Sequence, residues 1–138
     1  MNNILKEIKG RDTCTAALII RNGKILLGFR NYSHNIWTGG PTWTTPGGRC
    51  EGDETLEESI KRETLEETGI TDLDIKKHLG TVDGAKEGDK VEVFLCASKQ
   101  EPKLTEPDKF SEWKWFDLQE MPDKFINKNI LSIIQEKL

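Results

Sequence analysis

The chain has 138 residues, of which 24 are acidic and 20 basic, giving a formal net charge of -4. This length supports one hydrophobic core, so we expect a single domain over residues 1–138. The acidic balance argues against a nucleic-acid polymer as partner. No apolar stretch has the length of a membrane span or the form of a signal peptide, which favours a cytoplasmic protein without membrane contact.

The first third of the chain predicts a hairpin followed by a long loop. Residues 13–20 and 25–29 are apolar and β-branched, as in strands, and Asn22-Gly23 between them is typical of a two-residue turn. Residues 31–45 are rich in Gly, Asn, Ser, Thr and aromatic side chains without any period. We therefore predict a loop there, and loops of this length are often functional.

A helix is predicted over residues 53–68. Asp53 is the first candidate for its N-cap, and Thr55 with Glu58 forms a capping pair that gives an alternative start. Gly69 is the expected stop at the C-terminal end.

The second half predicts three strands and a helix. Residues 73–82 and 91–97 have strand character on either side of a polar turn at 83–90, and 112–116 is a short aromatic strand. A C-terminal amphipathic helix that packs on the sheet is predicted from the near-helical spacing of Ile130, Leu131, Ile133, Ile134 and Leu138. The fold class is therefore α/β with a mixed sheet.

The three cysteines are widely spaced, in a pattern that suits neither zinc nor a redox pair. We expect Cys14 and Cys96 to be small core residues. Cys50 adjoins a glycine-rich segment; we expect it to be packed, as free cysteines usually are, with a ligand contact as the alternative.

One face of the predicted helix changes from apolar to acidic along its length. At 100° per residue, a sector of about 60° contains Leu56, Ile60, Glu63 and Glu67. Like charges four residues apart cost a few tenths of a kcal/mol, and anions near a helix C-terminus cost a further ~0.3 to 1 kcal/mol. A magnesium ion would relieve this repulsion, since it prefers carboxylate oxygens. The alternative is an ordinary solvated charged helix.

Arg62 lies one turn from both Glu58 and Glu66 on this helix, away from the face predicted to bind metal. It is therefore placed to orient Glu66 by a charge-assisted hydrogen bond.

The helix belongs to a longer motif. Gly48 is followed after five residues by Glu54, and after seven more by Arg62-Glu63-Thr64-Leu65-Glu66-Glu67-Thr68-Gly69-Ile70. This spacing resembles the Nudix box at every charged and glycine position, and departs from it at Thr64, where the family has a bulky aliphatic residue. Residues 45–48 and 113–122 also resemble the family, which implies its α/β/α sandwich.

The resemblance implies roles for the box residues in a pyrophosphohydrolase that uses Mg²⁺, with Mn²⁺ as a substitute. Glu63 and Glu67 would be the main metal ligands, with Glu66 as a further ligand or base and the Gly48 carbonyl as a backbone ligand. Glu54 would pair with Arg62 to hold the loop on the helix.

Two further features bear on the chemistry. Gly47 and Gly48 allow the backbone to approach metal and phosphate closely, although a plain turn would have the same composition. The family often has an additional glutamate outside the box as base or ligand. Glu106 is the best match here and Glu112 the reserve, each with a surface position as the alternative.

Substrate choice depends on residues outside the box. The segment 101–115 resembles the MutT-like nucleoside-triphosphate diphosphatases, which implies release of a nucleoside monophosphate and pyrophosphate. The alternatives are a hydrolase of ADP-ribose, a nucleotide sugar or a dinucleoside polyphosphate, and a catalytically silent ligand-sensing module.

Four residues are candidates for substrate contact. Arg30 would reach a phosphate, Trp43 and Tyr32 would stack on a base, and His34 is a further contact. For each of them, packing or solvation is the alternative. Family habit also suggests a homodimer.

Overall fold

The computed structural model describes residues 3–30 and 41–138. After a short 3-10 helix, the elements follow in the order β1 (Thr13–Arg21), β2 (Lys24–Arg30), β3 (Thr42–Thr44), α1 (Leu56–Thr68), β4 (Asp74–Asp83), β5 (Lys90–Ala97), β6 (Phe110–Asp117) and α2 (Lys128–Lys137).

The loop predicted at 31–45 is wrong at its end, because β3 pairs there with the end of β2. A segment of only three residues is too short to show a strand pattern by itself, and its pairing with β2 makes it a strand. The candidates Tyr32 and His34 lie outside the described residues.

The predicted hairpin is confirmed, and the backbone shows why its turn is so short. Asn22 and Gly23 have φ values of 52° and 75°. Two successive left-handed residues match the twist of the flanking strands, and Asn-Gly tolerates them best. Ile20 pairs with Ile25 across this turn, and Arg21 with Lys24.

The sheet is mixed, as predicted. β1 pairs in parallel with β5 over seven residue pairs, and β4 lies antiparallel on the far side of β5. β6 runs antiparallel along β2. Beyond the hairpin, residues 46–50 run beside β1: Ala17 N–H donates to the Pro46 carbonyl and Thr15 N–H to the Gly48 carbonyl. This places the glycine-rich segment inside the sheet layer.

A hydrophobic core lies on each face of the sheet, which gives the α/β/α sandwich expected from the family resemblance. The core under α1 contains Ala17, Ile19, Leu26, Cys50, Leu56, Ile60, Ile70, Leu73, Phe94 and Cys96. The core under α2 contains Ala16, Leu18, Ile25, Leu27, Leu79, Val91, Val93, Phe125, Ile130, Ile133 and Ile134. Alternate residues of β1 point into opposite cores, as the pleat requires.

Helix α1 begins at the alternative start, and the prediction of Asp53 as N-cap is wrong. Thr55 accepts a hydrogen bond from Glu58 N–H, and the Glu58 side chain accepts one from Thr55 N–H. This reciprocal pair satisfies two otherwise unpaired backbone donors, which a single Asp53 side chain would not. Gly69 ends the helix with a φ of 73°, as predicted.

We expect Thr55→Ala to lower the free energy of unfolding by about 1 kcal/mol, because the capping hydrogen bond to Glu58 is lost. Asp53→Ala is the matched control and should change this free energy by only a few tenths of a kcal/mol. Urea denaturation followed by circular dichroism measures both. Equal losses in the two variants would contradict the assignment of the cap.

Candidate active site

The buried face of α1 ends in a carboxylate. Leu56 at the start of the helix and Ile60 one turn later are fully buried, and Glu67 near the end of the helix is only 7% exposed. The Glu67 Oε1 accepts a hydrogen bond of 3.0 Å from Gly47 N–H. Burial raises the pKa of Glu67 well above its ordinary value, against the lowering effect of that hydrogen bond. The face that is apolar at the start of α1 therefore does become acidic towards its end, as helical periodicity predicts.

Glu63 lies one turn earlier against the same loop. Its side chain is 17% exposed, and a Cβ at residue 48 would be 2.7 Å from its carboxylate. A side chain at position 48 would push this carboxylate out of its place. Burial raises the pKa of Glu63, the nearby charge of Arg62 opposes this rise, and the charge of Glu66 adds to it.

Arg62 contacts several of the acidic groups at once. Its guanidinium donates to both carboxylate oxygens of Glu54, and its Nη1 lies 3.1 Å from oxygens of both Glu63 and Glu66. The predicted contacts with Glu54 and Glu66 are thus present. The hydrogen bond from Arg62 lowers the pKa of Glu54, and the same bond raises the pKa of the guanidinium. Glu58 belongs to the helix cap instead.

The backbone at Gly47 and Gly48 is tightly held. Gly47 has a φ of 133°, and a Cβ there would lie 2.1 Å from the Thr15 carbonyl oxygen, so no side chain fits. The Gly48 carbonyl accepts a 2.9 Å hydrogen bond from Thr15 N–H. A carbonyl oxygen has two lone pairs, which leaves one for a further partner.

Glu106 faces the same acidic cluster from the segment that follows β5. Burial of Glu63 and Glu67 raises the pKa of both carboxylates, and the negative charge of Glu106 raises it further. The segment is fastened to the end of α1, since Thr105 Oγ1 donates to the Glu66 carbonyl at 2.5 Å and Lys103 N–H donates to the Thr68 carbonyl at 2.8 Å.

Glu112 lies elsewhere. It is an exposed residue of β6 opposite Phe29, and its neighbour Trp113 packs against the core under α1. Successive strand residues point to opposite faces, so Glu112 points to the α2 side. Of the two extra-box candidates, Glu106 is therefore the one near the box glutamates.

A cleft of about 330 Å³ opens on the other side of the glycine loop. Its lining comprises Cys14, Thr15, Ala16, Arg30, Thr44, Thr45, Gly47, Gly48, Arg49, Gly84, Ala85, Lys86, Asp89, Val91, Ile126, Asn127 and Ile130. Arg30 lies within it, and its positive charge lowers the pKa of Glu67 against the larger effect of burial. The sequence candidates Arg30, Gly47 and Gly48 therefore meet at one place.

Cys14 packs against the core under α2, as expected, and it also lines the cleft; burial raises the pKa of its thiol to about 11. Cys50 is buried in the core under α1, so packing accounts for this residue and the alternative of a ligand contact is wrong. Spacing alone does not show that Cys14 reaches the cleft.

Trp43 packs with other aromatic residues. Its ring centroid is 5.0 Å from that of Phe29 and 4.7 Å from that of Phe116, and its backbone pairs with Lys124 and Ile126. Trp43 is not one of the described residues that line the cleft. Packing accounts for this residue, and its stacking on a base stays a prediction.

Both the sequence and the fold of this chain match those of known proteins. The family model for the NUDIX domain matches residues 11–136. The chain belongs to the Nudix hydrolase family. It is a pyrophosphohydrolase that acts on nucleoside diphosphates linked to another moiety.

This Nudix hydrolase is similar to several known proteins. It is 30% identical over 112 residues to the oxidized purine nucleoside triphosphate hydrolase of Danio rerio, covering 78% of this chain and 67% of the relative. The MutT protein structure from Methanosarcina mazei Go1 matches with a TM-score of 0.73, 26% identity and 92% coverage of both chains. An ADP-ribose pyrophosphatase structure from Streptococcus suis shares the fold, with a TM-score of 0.70, 23% identity and coverage of 90% and 89%.

No helix of the described part of this Nudix hydrolase is long and apolar enough to cross a membrane.

Nudix enzymes use divalent cations, and the donor set here fits one. Carboxylates from Glu63 and Glu67 and the Gly48 carbonyl are oxygen donors of the kind that Mg²⁺ and Mn²⁺ prefer. Within residues 3–30 and 41–138, no three acidic, histidine or cysteine side chains already converge as a metal site. Glu66 and Glu63 instead share Arg62, so a third carboxylate ligand requires a side-chain rotation.

We expect Gly48→Ala to weaken Mg²⁺ binding roughly tenfold, because the added methyl group displaces the Glu63 carboxylate. Gly52→Ala is the matched control, since a Cβ there meets nothing within 4 Å. Isothermal titration with Mg²⁺ measures both variants. An unchanged affinity in Gly48→Ala would refute the role of this contact.

Proposed function

We propose that this enzyme hydrolyses a nucleoside triphosphate to a nucleoside monophosphate and pyrophosphate, with Mg²⁺ as its metal. One observation carries the proposal: the Gly47-Gly48 loop contacts Glu67 and Glu63 on one side and lines the cleft on the other. A phosphate chain lying along this loop would have its nucleoside in the cleft and its anhydride bonds beside the carboxylates.

The metal would be held by Glu63, Glu67 and the Gly48 carbonyl, with Glu66 as a further ligand. When bound, Mg²⁺ supplies neutralisation of phosphate charge and polarises water. Mn²⁺ offers the same oxygen chemistry and should substitute.

The chain's own residues would orient substrate and water. Arg30 would bind a phosphate oxygen from the cleft, where a guanidinium suits phosphate geometry. Arg62 and Glu54 hold the box loop against the helix, since Arg62 also donates to the Arg49 carbonyl at 3.2 Å. They would act by positioning the ligands.

Glu106 would take the proton from the attacking water. Its carboxylate lies 3.6 Å from Lys109 Nζ, and Thr105 fastens the preceding residue to α1. Oriented carboxylates of this kind are effective bases when they lie within reach of the water. Glu66 is the second candidate for this role, since one of its oxygens is held by Arg62.

Two observations favour a nucleoside triphosphate as substrate. A volume of about 330 Å³ is at the lower end for ligand sites, roughly 300 to 1,000 Å³, which suits one nucleoside better than two. The Danio rerio relative is named for triphosphate hydrolysis. The homodimer suggested by family habit stays a prediction.

A product-resolved screen tests this proposal. With Mg²⁺ present, we expect the enzyme to convert at least one ribo- or deoxyribonucleoside triphosphate to monophosphate and pyrophosphate, detected by ion-exchange chromatography. If it cleaves none of them but does cleave ADP-ribose, a nucleotide sugar or a dinucleoside polyphosphate, the proposed substrate class is wrong.

The base is tested by a matched pair of variants. We expect Glu106→Gln to lower kcat by roughly 10² to 10⁴, the usual contribution of a general base, while Mg²⁺ affinity changes little. Glu112→Gln should keep nearly full activity, because Glu112 is exposed, points away from the box glutamates and is not among the described residues that line the cleft. Full activity in Glu106→Gln would transfer the role to Glu66.

A further inference from the structure

Arg49, the residue after Gly48, makes a two-pronged ion pair with Asp89. Its Nη2 lies 2.6 Å from Asp89 Oδ2, and its Nη1 lies 3.0 Å from Oδ1. Nη1 also donates to the Arg11 carbonyl at 2.6 Å. Paired hydrogen bonds between planar charged groups fix both distance and orientation. The hydrogen bond from Arg49 lowers the pKa of Asp89, so this carboxylate is ionised at neutral pH.

The main chain of Arg49 belongs to the catalytic side of the molecule. Its carbonyl accepts the hydrogen bond from Arg62, whose guanidinium also contacts Glu54, Glu63 and Glu66. Its backbone also forms a bridge with Cys14 of β1. Arg49 therefore contacts the box helix through its backbone and Asp89 through its side chain.

Asp89 lines the cleft from the turn between β4 and β5. The turn between β4 and β5 folds around it, since Gly84 N–H donates to the Asp89 carbonyl at 2.8 Å and Asp89 N–H donates to the Lys86 carbonyl at 3.1 Å. A Cβ at residue 84 would lie 2.8 Å from the Asp89 Cβ, so the turn packs closely on this side chain. Gly84, Ala85 and Lys86 line the cleft beside it.

The fold does not depend on this ion pair. β5 is already paired along its length with β1 on one side and β4 on the other. The pair adds a connection between the turn at 84–89 and the segment that contains Gly47 and Gly48, and both of its residues line the cleft. Its loss should free the turn while leaving the sheet intact.

We propose that Arg49 and Asp89 are a positioning pair. The pair holds the turn at 84–89, which lines the cleft, at a fixed distance from the Gly47-Gly48 loop. The pair touches no reacting atom and acts through the turn at 84–89 and through Gly48. This inference rests on the proposed function, because it takes the cleft as the nucleoside site.

Three variants test the pair: Arg49→Met, Asp89→Asn and the double variant. Each single change should raise KM about tenfold and leave kcat within about twofold, because binding is lost equally in ground and transition states. The double variant should match the single ones, since each removes the same interaction. Arg49→Lys keeps the charge without the planar fork and should raise KM by an intermediate amount.

The matched control is Asp83→Asn, which breaks an ion pair with Lys90 at the base of the same hairpin, away from the cleft lining. Its KM should equal that of the parent enzyme. The Kd of the product monophosphate, titrated without divalent cation, should rise about tenfold in the Arg49 and Asp89 variants, which a loss of stability alone would not produce. The proposal would be overturned by unchanged KM and Kd in folded Arg49→Met and Arg49→Lys. It would also be overturned if the effects of the two single changes multiply in the double variant, or if Asp83→Asn raises KM as much as the changes at Arg49 and Asp89 do.

The proposed function fails separately. It fails if the parent enzyme cleaves no nucleoside triphosphate, whatever these variants do. The positioning role fails if the parent enzyme is active and the variants bind the product monophosphate as tightly as it does.

Discussion

The structure is organised around one carboxylate that is buried where a negative charge is costly. Glu67 completes the apolar face of α1, and its one described hydrogen bond comes from the Gly47 backbone. That contact requires a loop that reaches the helix without a side chain, which Gly47 and Gly48 provide. Burial and the charges of Glu63 and Glu106 all disfavour the ionised form. A divalent cation is the simplest group that would reverse this balance.

The parts of this arrangement that are local in the chain could be predicted from the sequence. The turn at Asn22-Gly23 follows from two residues that tolerate left-handed backbone. The acidic end of the α1 face follows from helical periodicity, and the contact of Arg62 with Glu66 follows from their spacing of one turn. The partnership of Arg62 with Glu54 came only from resemblance to the family motif.

Features that depend on distant partners could not be predicted in the same way. β3 exists because β2 is beside it, and Trp43 is held by Phe29 and Phe116 from two other strands. Spacing also did not show that Cys14 lines the cleft. Asp89 is forty residues from Arg49, and neither has a neighbour in sequence that signals the pair. In each case the tertiary fold selects one of several locally equivalent options.

The most direct test is the thermal stability of the parent enzyme and Glu67→Gln at neutral pH, with and without Mg²⁺. Because glutamine can accept the Gly47 hydrogen bond without a charge, we expect the variant to be at least as stable as the parent without divalent cations. We also expect Mg²⁺ to raise the Tm of the parent much more than that of the variant. An equal rise in both proteins, or a variant that is less stable without metal, would contradict the claim that this buried carboxylate is placed to bind a cation.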